Sequence, residues 1–161
     1  MDSESKNFSN APEILEMDKN FSHGEISMSH DELAYLDEAR HGEFENHPVL
    51  KGVFVRSLEA EMAPSEIKML IKKLGAEISS FSAVRIENEV PVHQHTSDGE
   101  IYFGGINGVV SLFDASKNEI GKFNLSDGSY TVTRPDEYHG VSSNNPSGST
   151  FFGVKFISKK Q

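Results

Sequence analysis

Three histidines and one glutamate form the most chemically informative pattern in the sequence. His93 and His95 are two residues apart, so on a β-strand both imidazoles point to the same face, about 6–7 Å apart along the backbone. The turn at 96–99 then reverses the chain, and Glu100 begins the next strand. His139 opens a strand farther along. Two imidazoles from one strand, a carboxylate from its neighbour and a third imidazole make a site of nitrogen and oxygen ligands.

Such a ligand set indicates one divalent transition metal ion. Imidazole and carboxylate ligands suit Fe(II), Mn(II), Ni(II) or Zn(II), and a six-coordinate ion would keep two positions for substrate or water. Open positions distinguish catalytic from structural sites. The chain contains no cysteine, which excludes disulfides, thiolate catalysis and cysteine-ligated metals.

The residues from 78 onward are typical of short strands separated by turns. Turn residues such as Asp, Gly, Asn and Pro separate the apolar segments throughout this part of the chain. Closely spaced strands of this kind favour a sandwich or closed barrel over alternating strands and helices. The predicted strands cover 79–87, 90–95, 100–104, 108–113, 119–125, 129–134, 139–143 and 150–157.

Two helices are predicted before these strands. Ser29 and Glu32 form a capping box that begins a helix over 29–41, and apolar residues at helical spacing predict a second helix over 64–75. The segment 49–58 between them is typical of a strand. We therefore expect an all-β core with N-terminal helical additions.

The acidic charge is concentrated at the N-terminus. Residues 1–50 contain twelve Asp and Glu against three Lys and Arg, whereas residues 51–161 contain thirteen against twelve. We expect residues 1–28 to be a flexible acidic arm and residues 29–161 a single domain. This acidity argues against nucleic acid or an anionic membrane as partner. With no apolar segment of membrane-spanning or signal-peptide type, we expect a cytoplasmic protein.

Two segments resemble the paired motifs of the cupin superfamily. The segment PVHQHTSDGEIYFGGING resembles the first motif, in which HxH is followed by Glu and then by Gly. The segment GSYTVTRPDEYHGVSSNN resembles the second motif, with Gly128, Pro135, His139 and Asn144 at its defining positions. The resemblance covers residues 78–158.

This resemblance implies a small single-domain cupin metalloprotein, whose antiparallel jelly-roll barrel holds one ion in its mouth. The ligands would be His93, His95, Glu100 and His139. The second motif is one residue short between Pro135 and His139 and lacks its internal Gly, so we expect an altered turn with the ligands retained. Barrels of this kind often pair, which makes a homodimer one expectation.

Four other residues are candidates for the cavity. Period two in a strand sends Tyr102 to the same side as Glu100, and Tyr138 lies at the turn before the last ligand. These two tyrosines are the candidate catalytic acids or bases. Arg85 and Lys155 lie in strands with apolar neighbours. Pointing inward, they would bind a substrate carboxylate or phosphate, and pointing outward they would be solvated charges.

The leading functional hypothesis is a metalloenzyme acting on a small polar metabolite. The candidate substrates are a sugar, a sugar derivative or a small carboxylic acid, and the candidate reactions are isomerisation, epimerisation, lyase chemistry or oxygen insertion. The alternative is a non-catalytic cupin that binds or senses a small ligand. A general acid or base beside the ion favours the enzyme.

Overall fold

The computed structural model describes residues 23–95 and 97–159, which fold mostly into strands. None of the helices in these residues is long and apolar enough to cross a membrane. In chain order the elements are β1 (His23–Glu25), α1 (His30–Arg40), β2 (Glu45–Asn46), β3 (Val53–Leu58), a 3₁₀ turn (Ala60–Met62), α2 (Ser65–Lys73), β4 (Ala76–Ile86), β5 (Glu89–His93), β6 (Gly99–Ile106), β7 (Gly108–Phe113), β8 (Glu119–Asn124), β9 (Ser129–Thr133), β10 (Tyr138–Ser143) and β11 (Ser149–Ser158).

The strands form two antiparallel sheets that face each other. The larger sheet has the order β1-β9-β6-β11-β4-β3-β2, and the smaller has the order β5-β10-β7-β8. The all-β jelly roll with N-terminal helices is therefore confirmed. The expectation of a closed barrel is corrected, because no hydrogen-bonded ladder joins the two sheets within the described part of the chain. The chain leaves β4 at Glu87–Asn88 and crosses to the other sheet, where β5 pairs with β10.

The predicted elements match the observed ones closely. Each of the eight strands predicted from residue 79 onward is present, with bounds that differ by three residues at most. The capping box of α1 is formed as expected: the backbone N–H of Glu32 donates to Ser29 Oγ (3.1 Å), and the N–H of Ser29 donates to Glu32 Oε1 (2.9 Å). Local sequence signals were sufficient here because turns and caps depend on neighbouring residues.

Two separate cores hold the sheets and helices together. Leu36 of α1 and Ile67 and Ile71 of α2 are buried on the outer face of the larger sheet, in one cluster with Phe81 and Phe152. A second apolar cluster lies between the two sheets and comprises Val53, Ile86, Tyr102, Val110, Leu112, Leu125, Val141 and Phe151. The helices thus cover one face of the large sheet, and its other face is left to line a space between the sheets.

The C-terminal end of the predicted flexible arm belongs to the folded domain. β1 pairs with β9, with His23 opposite Thr131. Ile26 and Met28 pack against the core beneath the helices. The burial of these apolar side chains offsets the entropy lost when this short segment is ordered. The prediction of a flexible arm rested on net charge, which does not show this contribution. Residues 1–22 lie outside the described residues.

Candidate metal centre

The three predicted histidine ligands meet at one end of the space between the sheets. His139 on β10 is the direct cross-strand neighbour of His93 on β5, and His95 lies two residues beyond His93. One ring nitrogen from each histidine lies within 4.8 Å of those of the other two. The ring centroids of His93 and His139 are 4.4 Å apart. Three imidazoles at these distances can bind one ion.

Backbone carbonyls orient two of the three rings. His93 Nδ1 lies 2.6 Å from the carbonyl oxygen of Pro91, and His139 Nδ1 lies 3.1 Å from the carbonyl oxygen of Glu137. A carbonyl can only accept, so Nδ1–H is the donor in both hydrogen bonds. The lone pair is then on Nε2, which is the arrangement that metal-ligating histidines use.

Two of the ligand nitrogens have no hydrogen-bond partner of their own. Nε2 of His95 and Nε2 of His139 are both buried, and neither has a partner among the described residues. Burial lowers the pKa of His139 from 6.5 to about 4 and also lowers the pKa of His95, so both rings are neutral near pH 7. Buried ring nitrogens left without a hydrogen-bond partner are costly, and a metal ion bound to them would remove this cost. The residues therefore fit a divalent ion.

Glu100 lies beside the histidines but outside their close group. Its Oε1 is 3.9 Å from His95 Nε2 and accepts a hydrogen bond from the hydroxyl of Tyr102 (2.8 Å). Burial raises the pKa of Glu100, while the charge of Lys155 and the Tyr102 hydrogen bond act in the opposite direction. The space for the carboxylate comes from Gly153, where a β-carbon would lie 2.5 Å from Glu100 Oε2. Glu100 as the fourth ligand stays a prediction.

The altered turn of the second motif is held next to the site. Asp136 adopts a left-handed backbone with φ of 67°, in the turn where the motif usually has its internal Gly. Its N–H donates to the carbonyl oxygen of His95 at 2.7 Å. The shorter turn therefore still connects the two segments that carry the histidines, and the departure from the motif leaves their placement intact.

A cavity of about 170 Å³ opens in front of the histidines, between the sheets. Tyr102 and Lys155 line it, as expected for inward-facing residues. Its wall includes His47, Ser80 and Ser82, to which the sequence pattern assigned no role. The serines alternate along β4 with residues that face the helices, so strand period places them on one side of the strand but does not determine which side faces the cavity. His47 is brought in by the pairing of β2 with β3, which no local pattern indicates.

Two candidate site residues lie away from this cavity. The guanidinium of Arg85 stacks over the ring of Phe44, 4.2 Å from its centroid, and Arg85 is exposed. Its neighbour Val84 faces the cavity, so alternation along β4 turns Arg85 outward. The ring of Tyr138 lies under Lys117 Nζ at 5.0 Å and does not line the cavity. The expected substrate contact of Arg85 and catalytic role of Tyr138 are not supported by these positions.

The burial of His139 predicts how the stability of the metal-free protein depends on pH. The pKa of His139 is about 4 when folded and near 6.5 when unfolded, so on acidification the unfolded chain takes up the proton first. This contribution to stability is complete above pH 6.5 and is lost as the pH falls towards 4. Between about pH 7 and pH 5 the free energy of unfolding should fall by about 2 kcal/mol more in the wild type than in His139→Leu.

Urea unfolding followed by circular dichroism, in the presence of a chelator, measures this difference. The comparison with His139→Leu cancels the smaller contribution of His95, which has the same sign, and that of Glu100, which has the opposite sign because its pKa is raised. Equal losses in the two proteins would show that His139 is not held neutral by burial.

No protein-family model and no curated protein sequence matches the chain. Solved structures do match. An oxidoreductase of the 2OG-Fe(II) oxygenase family from Burkholderia pseudomallei has a TM-score of 0.62 at 12% identity, over 98% of this chain and 93% of that chain. The non-haem α-ketoglutarate-dependent epimerase SnoN from nogalamycin biosynthesis has a TM-score of 0.61 at 11% identity, over 85% of this chain and 78% of that chain. At such low identity the likeness concerns the fold alone. The chain has the cupin fold.

Proposed function

We propose that the protein is a metal-dependent cupin that acts on a small polar metabolite in the cavity between its sheets. The observation that carries this proposal is the pair of buried, unpartnered Nε2 atoms of His95 and His139, with the ring of His93 beside them. Zn(II), Mn(II), Ni(II) and Fe(II) all suit three imidazoles. Both structural neighbours are described as 2-oxoglutarate-dependent enzymes, one of them as an Fe(II) enzyme, so Fe(II) belongs among the ions to test.

A bound divalent ion would supply Lewis-acid chemistry to substrate oxygens. The protein contributes the rest. The three imidazoles would hold the ion, and the walls of the cavity would limit the access of water. Tyr102 holds the carboxylate of Glu100 next to the histidines, where Glu100 would complete the coordination. The Glu100–Tyr102 pair is also an acid–base group beside the histidines, and it favours an enzyme acting by isomerisation, epimerisation, lyase chemistry or oxygen insertion.

The second candidate function is a binding or sensing module. The small cavity and the displacement of Tyr138 from it favour this alternative, because a Tyr138 role in proton transfer would need its ring inside. In this case the ion would contribute to ligand affinity and fold stability without turnover. The expected homodimer stays a prediction for either function.

The first experiment measures the ion itself. Protein stripped with a chelator and then loaded separately with Zn(II), Mn(II), Ni(II) or anaerobic Fe(II) should hold about one ion per chain, measured by elemental analysis. His95→Ala and His139→Ala should each weaken binding by tenfold or more, because each removes one imidazole from the site. His30→Ala is the matched control, since His30 is an exposed residue of α1.

The double variant His93→Ala/His95→Ala is the most stringent test of the proposed ion site. If it retained the full ion content of the wild type, the ion would be bound elsewhere and the proposed function would be wrong.

A second experiment tests Glu100 as the fourth ligand. Gly153→Ala places a methyl group where the Glu100 carboxylate lies, so it should displace this carboxylate without altering its chemistry. Gly153→Ala and Glu100→Gln should each weaken Zn(II) binding by about tenfold or more. Gly128→Ala is the control, because an added β-carbon there has its nearest contact at 4.0 Å. Wild-type affinity for Zn(II) in both test variants would remove Glu100 from the ligand set.

A further inference from the structure

One wall of the cavity carries hydrogen-bond donors that the metal site does not use. We propose that Lys155, Ser80 and His47 form a subsite for the carboxylate of a small organic acid whose other end reaches the metal ion. This inference rests on the proposed metal-dependent function and narrows its substrate class from polar metabolites to small carboxylic acids.

The strand register places Lys155 between an acid and a hydroxyl. Lys155 on β11 is the cross-strand neighbour of Glu100 on β6 and of Ser80 on β4, so the three residues form one row across the floor of the cavity. All three line the cavity, and Lys155 is half-buried. The structure records no ion pair for Lys155 within residues 23–95 and 97–159.

The ammonium group of Lys155 lies close enough to influence the histidines. Its positive charge lowers the pKa of His95 and that of His139, in addition to the larger lowering caused by burial. For Glu100 the charge of Lys155 acts against the larger effect of burial, which raises the pKa of that carboxyl. A cation at this position would be repelled by a divalent ion bound to three neutral imidazoles. An anion that contacts both the ammonium group of Lys155 and the divalent ion would reduce this repulsion.

The charges around the cavity leave a positive excess once an ion is bound. The divalent ion and Lys155 are positive, Glu100 is the one carboxylate that lines the cavity among the described residues, and Asp98 lies half-buried outside the lining. Like charges in a partly desolvated space repel strongly. A carboxylate placed between the ion and Lys155 relieves this repulsion and gains charge-assisted hydrogen bonds.

His47 adds a donor whose direction is fixed by the backbone. Its Nδ1 accepts hydrogen bonds from the N–H groups of Val49 (3.0 Å) and Leu50 (2.9 Å). The ring proton is therefore on Nε2, which is the remaining polar group of a side chain that lines the cavity. Together with the ammonium of Lys155 and the hydroxyl of Ser80, it supplies donors of three types for two carboxylate oxygens.

The volume of the cavity limits the size of the acid. An apolar cavity of about 150 Å³ accommodates benzene, so 170 Å³ corresponds to roughly six to eight non-hydrogen atoms. The remaining lining is mostly apolar and includes Leu50, Val53, Val55, Val84 and Phe151. These features fit a short hydroxy or oxo acid with an aliphatic chain, whereas only one end of a nucleotide-linked sugar would fit inside.

The test compares lactate with lactamide, a neutral compound of the same size. Isothermal titration calorimetry of the Zn(II)-loaded wild type should show lactate binding at least tenfold tighter than lactamide. Lys155→Met should weaken lactate binding about tenfold or more and leave lactamide unchanged, because one charge-assisted hydrogen bond is lost. Ser80→Ala should weaken lactate binding by a smaller factor. Lys122→Met is the control, since Lys122 lies exposed on β8 of the other sheet.

Several results would overturn the subsite. These are undetectable lactate binding, lactamide binding as tightly as lactate, or equal lactate affinity in the wild type and Lys155→Met. Lactate binding that is equally tight without Zn(II) would contradict the proposal that the other end of the acid reaches the metal ion. The lactate–lactamide comparison needs only the wild type, so the lack of a preference for lactate contradicts the subsite even where a variant fails to fold. Because Zn(II) also binds carboxylates, the Lys155→Met comparison is what assigns a preference for lactate to the subsite. Failure of the wild type to bind Zn(II) is a separate result, which contradicts the proposed function itself.

Discussion

The main physical constraint on the structure is the free-energy cost of burying imidazole nitrogens without hydrogen-bond partners. His139 is fully buried, and Nε2 of both His95 and His139 has no partner in the described part of the chain. An unsatisfied buried polar atom costs about 1–3 kcal/mol. Two such atoms close together therefore lower the stability of a small domain substantially. Carbonyl groups hold the rings of His93 and His139 with Nε2 free, which prevents the simplest relief by rotation of the rings. A bound cation would remove this cost.

The rest of the fold can be understood as support for these rings. The pairing of β5 with β10 sets His93 against His139, and the larger sheet supplies the opposite wall with Glu100 and Lys155. The helices bury the outer face of that sheet, so its strands are held rigidly by a core separate from the cavity. Apolar packing therefore stabilises the sheet without filling the space that a ligand would use. A binding site on rigid strands is also more precise than one on loops.

Most of the fold, and the placement of His93 and His95 on one face of a strand, could be predicted from local sequence patterns. The place of His139 beside them rests on the resemblance to the paired cupin motifs. The HxH spacing, the turn residues and the capping box of α1 each act over a few residues, so they can be recognised without the structure. The orientation of Arg85 could not be predicted, because period two leaves open which alternate set of residues faces the cavity. His47 was missed because it reaches the cavity through long-range strand pairing. The open sandwich likewise depends on where the chain crosses between sheets, which turn chemistry alone does not determine.

The most direct measurement of the central claim is X-ray absorption spectroscopy of the protein loaded with one equivalent of Zn(II). The account predicts about three imidazole nitrogens at roughly 2.0–2.1 Å from the metal, together with oxygen ligands. It also predicts the loss of one imidazole contribution in His139→Ala. A spectrum with oxygen ligands alone, or one that is unchanged by His139→Ala, would contradict the claim that these three histidines hold the ion.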